Sequence, residues 1–168
     1  MRWLNALILS LSFVCTSGLQ ASPVENLRPV GQASLKVMFW TIYDSRLFTP
    51  DGQFQGVEPD LALRITYRRD IAAEALVNRT RKEWRKLDQY EQQHEQWLAR
   101  LEEIWPDVQE DDDVTLRVDA ELGSRFYLNG QFIGAIEDAQ FTRQFLSIWL
   151  SEQSSYPDLR EQLVGQAS

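Results

Sequence analysis

Arginines cluster in residues 61–84, where a hydrophobic period of two gives way to a helical period. Arg64 and Arg68 alternate with apolar residues, which places both on one face of a strand over residues 61–69. A guanidinium presents its N–H groups as a planar fork that matches the two oxygens of a carboxylate. One interpretation is therefore a clamp for a carboxylate. The other is a solvated sheet face on which these arginines pair with nearby acids.

Arg79 lies on the helix that follows, three residues after Leu76 and beside Thr80. If its side chain faces the sheet, it is a buried cation and needs an anionic partner. That partner is either a ligand or Glu83, about one helical turn further along the chain. Because desolvated charges often mark functional sites, Arg79 is the helical arginine that we expect to contact a ligand.

Two elements must position these arginines. Residues 70–87 are predicted to form a helix, since small and apolar side chains recur there at intervals of four, with Asp70 as the N-cap. Residues 33–48 are the strongest strand candidate, and both of their faces are apolar, which predicts a central strand covered on both sides. Trp40 and Tyr43 on this strand either line an apolar ligand cavity or simply form part of the core.

The remaining elements complete an α+β domain. A second helix ends before Pro106, and Asn129-Gly130 is typical of a two-residue hairpin turn. The order of elements favours an antiparallel sheet with helices packed on one face. The other predictions are an extended lead-in over residues 22–32, helices over 89–104, 139–150 and 159–164, and strands over 114–120, 126–128 and 132–133.

The first 21 residues have the pattern of a cleaved secretory signal. Arg2 precedes an apolar run over residues 6–14, which is shorter than the roughly 20 residues that span a bilayer. Small residues follow, and we expect cleavage after Ala21, with Gly18 as the alternative. The lipidation that Cys15 invites is disfavoured, because a bulky residue precedes that cysteine. The sequence thus predicts export to the periplasm of one domain over residues 22–168, with no integral membrane segment.

Composition excludes several functions. The formal net charge is −8, which disfavours general binding to nucleic acid or to anionic lipid surfaces. The single cysteine falls in the expected signal, so thiol catalysis is excluded from the domain. The only histidine, His94, rules out a metal site built on several histidines and is expected to pack in the core. The acidic run over residues 110–113 lacks the spacing of a calcium loop. We therefore expect no metal and no cofactor.

Several segments, taken in their order and spacing, resemble the bacterial chalcone isomerase-like proteins. The resemblance implies an open-faced α+β sandwich, an antiparallel sheet with helices on one face and a ligand cleft between them. It covers essentially all of residues 22–168. The segments are residues 36–37, 42–48, 63–71, 105–108, 126–130, 145–150 and 159–160, together with Gly134, Ile136 and Gly165.

The resemblance also bears on catalysis. Plant chalcone isomerases cyclise a flavonoid precursor with a tyrosine, a lysine and an asparagine on the helix, and these positions correspond to Leu76, Arg79 and Glu83. The strand threonine of the isomerases corresponds to Met38, with Thr41 nearby. Most of the isomerase set is therefore absent, which argues against flavonoid cyclisation.

Some non-enzymatic relatives bind fatty acids through an arginine, a role for which Arg28, Arg64, Arg68 and Arg79 are candidates here. The leading hypothesis is an exported, non-catalytic protein that binds a small amphipathic ligand such as a fatty acid. The candidate ligand-binding residues are Arg28, Arg64, Arg68, Arg79, Trp40, Thr41, Tyr43 and Leu76.

Two alternatives belong to other classes. One is an isomerase or lyase that uses Tyr43 or Tyr67 with Arg79, which requires these side chains to meet in one pocket. The other is an envelope protein that binds an unknown protein partner through the helix over residues 141–149, which requires Phe141 or Trp149 to be exposed.

Overall fold

Six strands form one antiparallel sheet whose spatial order follows their order in the chain. The structure is a computed structural model and describes residues 21–166. The predicted secretory signal lies almost entirely outside these residues. The strands are β1 (Arg28–Val37), β2 (Trp40–Thr49), β3 (Ala62–Tyr67), β4 (Asp113–Val118), β5 (Ser124–Leu128) and β6 (Gln131–Ile136).

Four helices cover one face of the sheet. They are α1 (Ala73–Lys86), α2 (His94–Ile104), α3 (Ala139–Leu150) and α4 (Pro157–Leu163). Helix α4 lies against β1, where a Cβ on Gly31 would stand 2.1 Å from the carbonyl oxygen of Gln162, so only glycine admits this approach. This arrangement confirms the predicted α+β fold with helices on one side. None of the helices described between residues 21 and 166 is long and apolar enough to cross a bilayer.

The prediction of one strand over residues 33–48 is wrong. These residues belong to two strands, β1 and β2, and the chain reverses at Met38-Phe39, where Val37 pairs with Trp40. The turn contains no glycine, asparagine or proline to announce it. The expected cover on both faces is also wrong, because the turn residues project into solvent. β2 is an interior strand, but β1 lies at the edge of the sheet. The predicted lead-in likewise becomes strand from Arg28 onward.

The start of α1 also differs from the prediction. Helix α1 begins at Ala73, and its N-cap residue makes no side-chain capping bond. Instead the carboxylate of Asp107 accepts a hydrogen bond of 2.8 Å from the Ala73 N–H, which satisfies one free donor of the first turn. Asp70, the expected cap, accepts from the Glu110 N–H. The cap therefore comes from a distant loop, which local sequence does not reveal.

The second half of the fold follows its prediction closely. Helix α3 has the expected bounds, and Asp138 caps it by accepting from the backbone N–H of Gln140. Asn129 and Gly130 have φ values of +49° and +82°, as the predicted hairpin turn requires. Phe141, however, is completely buried. Trp149 is half-buried and donates its indole N–H to the Tyr43 hydroxyl, so neither residue has the exposure that partner binding through residues 141–149 requires.

Candidate functional site

An apolar cavity of about 300 Å³ lies between the sheet and the helices. Leu63, Ile65 and Tyr67 of β3 form part of its floor, and Leu76 of α1 and Phe145 of α3 form part of its roof. Alternation along β3 sends these three floor residues to the same side. We call this side of the sheet the covered face. Most of the cavity lining is hydrocarbon, so the space suits an apolar group.

A β-bulge shapes the wall formed by β2. Leu35 pairs with Tyr43 and the next residue, Lys36, pairs with Thr41, so Ile42 is the extra residue. A bulge re-aims the side chains next to it. As a result both Ile42 and Tyr43, although adjacent in sequence, line the cavity.

Arg79, Glu83 and Tyr156 form the polar end of the cavity. Arg79 Nη2 lies 2.7 Å from Glu83 Oε1 and also donates a hydrogen bond to the Tyr156 hydroxyl. The guanidinium stands 5.8 Å from the centre of the Tyr156 ring. The Arg79 side chain is 45% exposed, so it reaches from the cavity to solvent. The helix thus supplies one cation to an otherwise apolar space.

Glu83 is the buried anion of this polar end, with its side chain 3% exposed. Lys86 Nζ lies 3.0 Å from one carboxylate oxygen, and the Ser155 hydroxyl donates to the other at 2.6 Å. Burial alone would raise the pKa of Glu83, but these hydrogen bonds and the charges of Arg79 and Lys86 outweigh it and hold the pKa below its usual value. Glu83 is therefore ionised at neutral pH and partly neutralises Arg79.

Two tyrosines from adjacent strands meet in the same cavity. The rings of Tyr43 and Tyr67 lie edge to face with centroids 6.3 Å apart. The Tyr43 hydroxyl accepts a hydrogen bond of 2.9 Å from Trp149 Nε1. Burial raises the pKa of Tyr43 and of Tyr67. Both hydroxyls therefore stay protonated at neutral pH, which makes them possible hydrogen-bond donors.

One polar group in the cavity wall is buried without a partner within residues 21–166, the indole N–H of Trp105. A buried unpaired donor is unfavourable, so this group would gain from an acceptor inside the cavity. Sequence reasoning missed the roles of Trp105, Trp149 and Tyr156. The available signal was that tryptophan and tyrosine bring polar atoms into a core.

Arg64 and Arg68 lie on the opposite side of the sheet, which we call the open face. Arg68 is paired with Asp44 at 2.7 Å and with Asp111. Arg64 Nε approaches the Thr115 hydroxyl at 3.4 Å. The structure therefore separates these two arginines from Arg79 by the thickness of the sheet.

The other predicted residues also fall in different places. Arg28 is exposed at the start of β1. Trp40 is 62% exposed and does not line the cavity. Thr41 is paired with Lys36 near the turn. Of the predicted binding residues, Tyr43, Leu76 and Arg79 come together in the cavity.

Comparison with known proteins places this geometry in a family. The family model described as chalcone isomerase-like matches residues 27–165, nearly all of the described chain. The chain belongs to the chalcone isomerase-like family. It is 27% identical over 145 residues to an uncharacterised protein of Haemophilus influenzae, covering 86% of this chain and 71% of that one.

A solved structure shares the fold of this chalcone isomerase-like protein. The Arabidopsis thaliana fatty-acid binding protein AtFAP1 superposes with a TM-score of 0.64, covering 84% of this chain and 88% of that one. The sequence identity is 11%, so the likeness establishes the fold.

The helix positions that the resemblance singled out do converge. Leu76, Arg79 and Glu83 all line the cavity of this chalcone isomerase-like protein. Met38, the position aligned with the strand threonine, is instead 85% exposed at the hairpin turn. Met38 therefore does not line the cavity.

Proposed function

We propose that this protein binds a small amphipathic carboxylate, such as a fatty acid. Its chain would occupy the apolar cavity, and its carboxylate would meet Arg79. The observation that carries the proposal is one guanidinium at the end of a space lined mostly by hydrocarbon. The volume, about 300 Å³, is at the lower limit of ligand pockets, which span roughly 300–1,000 Å³.

Charge at the polar end favours a single negative charge on the ligand. Arg79 and Lys86 bring two positive charges and Glu83 brings one negative charge. One carboxylate would balance the remaining positive charge. Arg79 uses Nη2 for its contacts with Glu83 and Tyr156, and its Nε and Nη1 make no hydrogen bond within residues 21–166. A carboxylate could therefore accept a charge-assisted hydrogen bond from Nη1 or from Nε, and a paired contact would require it to share Nη2 with Glu83 or Tyr156.

Two further observations support this proposal. The structural neighbour AtFAP1 is a fatty-acid binding protein with the same fold. Leu76 and Glu83 stand where the isomerases have polar neutral groups, which favours binding without catalysis. The N-terminal pattern of residues 1–21 adds the proposal that the protein works in the periplasm. Fractionation of cells followed by mass spectrometry of the N-terminus tests that part independently.

The binding proposal is tested by ligand identification and by titration. Native mass spectrometry of freshly purified protein should show bound fatty acid, and added dodecanoate should raise the melting temperature, because a ligand that binds only the folded state stabilises it. Methyl dodecanoate, which lacks the charge, is the matched control and should produce a smaller shift. If no lipid co-purifies and dodecanoate neither binds nor raises the melting temperature, the proposal fails.

The convergence of Tyr43, Tyr67 and Arg79 in one cavity favours a second candidate, an isomerase or lyase. Because burial raises both tyrosine pKa values, the hydroxyls would act as proton donors rather than bases. Incubation with a 2′-hydroxychalcone tests this candidate. If the protein is catalytic, it should cyclise the chalcone faster than buffer does, and Tyr67→Phe should abolish the increase. Equal rates with and without protein rule out this reaction.

A further inference from the structure

The turn between β1 and β2 exposes four consecutive apolar residues, which we call the β1–β2 tip. Val37 is 49% exposed, Met38 85%, Phe39 94% and Trp40 62%. Exposed apolar side chains are usually scattered singly, so a continuous run calls for a functional explanation. Met38 also has a φ of +56°, a conformation that glycine adopts without strain. Compared with glycine at this position, methionine adds backbone strain and exposed apolar surface, so folding alone does not account for it.

The β1–β2 tip projects from the body of the protein. The last backbone hydrogen bond between β2 and the segment after β3 runs from the Arg68 N–H to the Ile42 carbonyl at 2.9 Å, so β2 extends two residues further, about 7 Å at roughly 3.3 Å per residue. That reach is close to the ~5–10 Å by which apolar side chains enter the boundary between lipid headgroups and acyl chains. The tip is therefore long enough to enter a lipid surface while the sheet stays in water.

Basic residues flank this apolar tip. Lys36 precedes it, and the Arg69 guanidinium lies 5.1 Å from the centre of the Trp40 ring. Neither cation lies within 4 Å of a carboxylate oxygen within residues 21–166. The nearby Asp44, whose pKa the Lys36 charge helps to lower, is itself paired with Arg68. Tryptophan and basic side chains are typical of the headgroup level of a bilayer, with purely apolar side chains deeper. The net charge of −8 on the whole chain does not cancel the positive charge at the tip, because salt at physiological strength screens charges more than about 8 Å apart.

We propose that the β1–β2 tip docks the protein on an anionic phospholipid surface. Met38 and Phe39 enter the acyl boundary, Trp40 lies among the headgroups, and Lys36 and Arg69 contact lipid phosphates. Val37 also lines the cavity, so docking places one end of the cavity next to the lipid. The docking itself does not depend on which ligand, if any, fills the cavity.

The test is a local fluorescent probe at the tip of the full-length protein. The only cysteine is Cys15, so a Cys15→Ser background allows labelling of Phe39→Cys with an environment-sensitive nitrobenzoxadiazole dye. Phe132→Cys is the matched control, since Phe132 is 45% exposed and lies on β6, at the other edge of the sheet. With phosphatidylethanolamine–phosphatidylglycerol vesicles, the probe at 39 should brighten and be quenched by spin-labelled lipid. The probe at 132 should not respond.

Charge provides the second arm of the test. Lys36→Gln and Arg69→Gln should each weaken vesicle binding about fivefold, the effect of one basic residue near an anionic surface. A probe at 39 that stays in water with vesicles overturns the proposal, as does binding that neither glutamine variant weakens. A response at 39 that rises with protein concentration without vesicles would identify a second copy of the chain as the partner instead. The dodecanoate titration reports separately on the cavity.

Discussion

Two arginines on opposite faces of the sheet form ion pairs of the same length in different surroundings. Arg68 meets Asp44 at 2.7 Å on the open face, and Arg79 meets Glu83 at 2.7 Å beside the cavity. The Asp44 side chain is 38% exposed, whereas that of Glu83 is 3% exposed. Water screens the first pair strongly and the second much less. The same chemical pair is therefore a surface contact on one face and part of a candidate binding site on the other.

The pKa values sharpen this comparison. A hydrogen bond from Ser34, with Arg68 adding to it, lowers the pKa of Asp44. Glu83 reaches a lowered pKa against the effect of its own burial, which requires several favourable contacts at once. On the covered face, the ionisation of Glu83 therefore depends on all of its charged and hydrogen-bonded partners. On the open face, removing one partner of an exposed ion pair should cost little stability.

Filling the cavity should have the largest effect on ligand binding. Leu76→Trp places an indole in the space that the acyl chain would use, so we expect dodecanoate binding to be lost. Leu76→Met, which roughly conserves volume, is the control and should keep binding. Calorimetric titration measures both. Unchanged affinity in a folded Leu76→Trp variant would show that the ligand lies elsewhere.

Neutralising Arg79 should have the next largest effect. Arg79→Gln removes charged hydrogen bonds worth about 1.5–3 kcal/mol, which corresponds to a loss of affinity for dodecanoate of roughly 10- to 150-fold. Arg64→Gln makes the same change on the open face and should alter the affinity less than twofold. Equal losses in the two variants would remove the distinction between the faces.

Glu83→Gln should change stability and binding in opposite directions. We expect the free energy of unfolding at neutral pH to fall by about 1–2 kcal/mol, because charged hydrogen bonds are replaced by neutral ones. Dodecanoate affinity should rise, since Arg79 loses its competing anion. Urea unfolding and titration measure the two effects, with the exposed Glu74→Gln on the same helix as control. A rise in stability together with weaker binding would contradict this account.

The lowered pKa of Glu83 predicts that the stability of the wild type depends on pH more strongly than that of Glu83→Gln. A carboxylate whose pKa is lower in the folded state contributes stability above its unfolded pKa, about 4.3 for glutamate, and loses it as pH falls through the folded value. Wild-type stability should therefore decline more steeply below about pH 4.3 than that of Glu83→Gln. Parallel acid profiles from urea unfolding would show that Glu83 contributes no such stability.

The smallest effect is expected on the open face. Arg68→Gln breaks exposed pairs with Asp44 and Asp111, which are worth about 1 kcal/mol or less. Its affinity for dodecanoate should match that of wild type. A loss as large as that of Arg79→Gln would instead place the carboxylate on the open face.

Sequence reasoning succeeded where local rules decide the structure. Alternation over β3 put Arg64 and Arg68 on one face, and Asn129-Gly130 located a turn because both residues tolerate positive φ. It failed at Met38-Phe39, where no turn residue marks the reversal, and at Ile42, where a bulge resets the alternation.

The candidate site shows the same division. Helical spacing offered Glu83 as one possible partner for Arg79, and the structure forms that pair. The contacts of Arg79 with Tyr156 and of Tyr43 with Trp149 join residues 77 and 106 positions apart. Residues so far apart in the sequence meet only because α1, α3 and the sheet pack together, and no local sequence pattern predicts that packing.

The most direct test of the account is a crystal structure of the protein grown with dodecanoate. We expect an acyl chain between β3 and helix α1, with its carboxylate about 3 Å from the Arg79 guanidinium. A ligand bound to Arg64 or Arg68 on the open face, or an empty cavity at saturating dodecanoate, would contradict it.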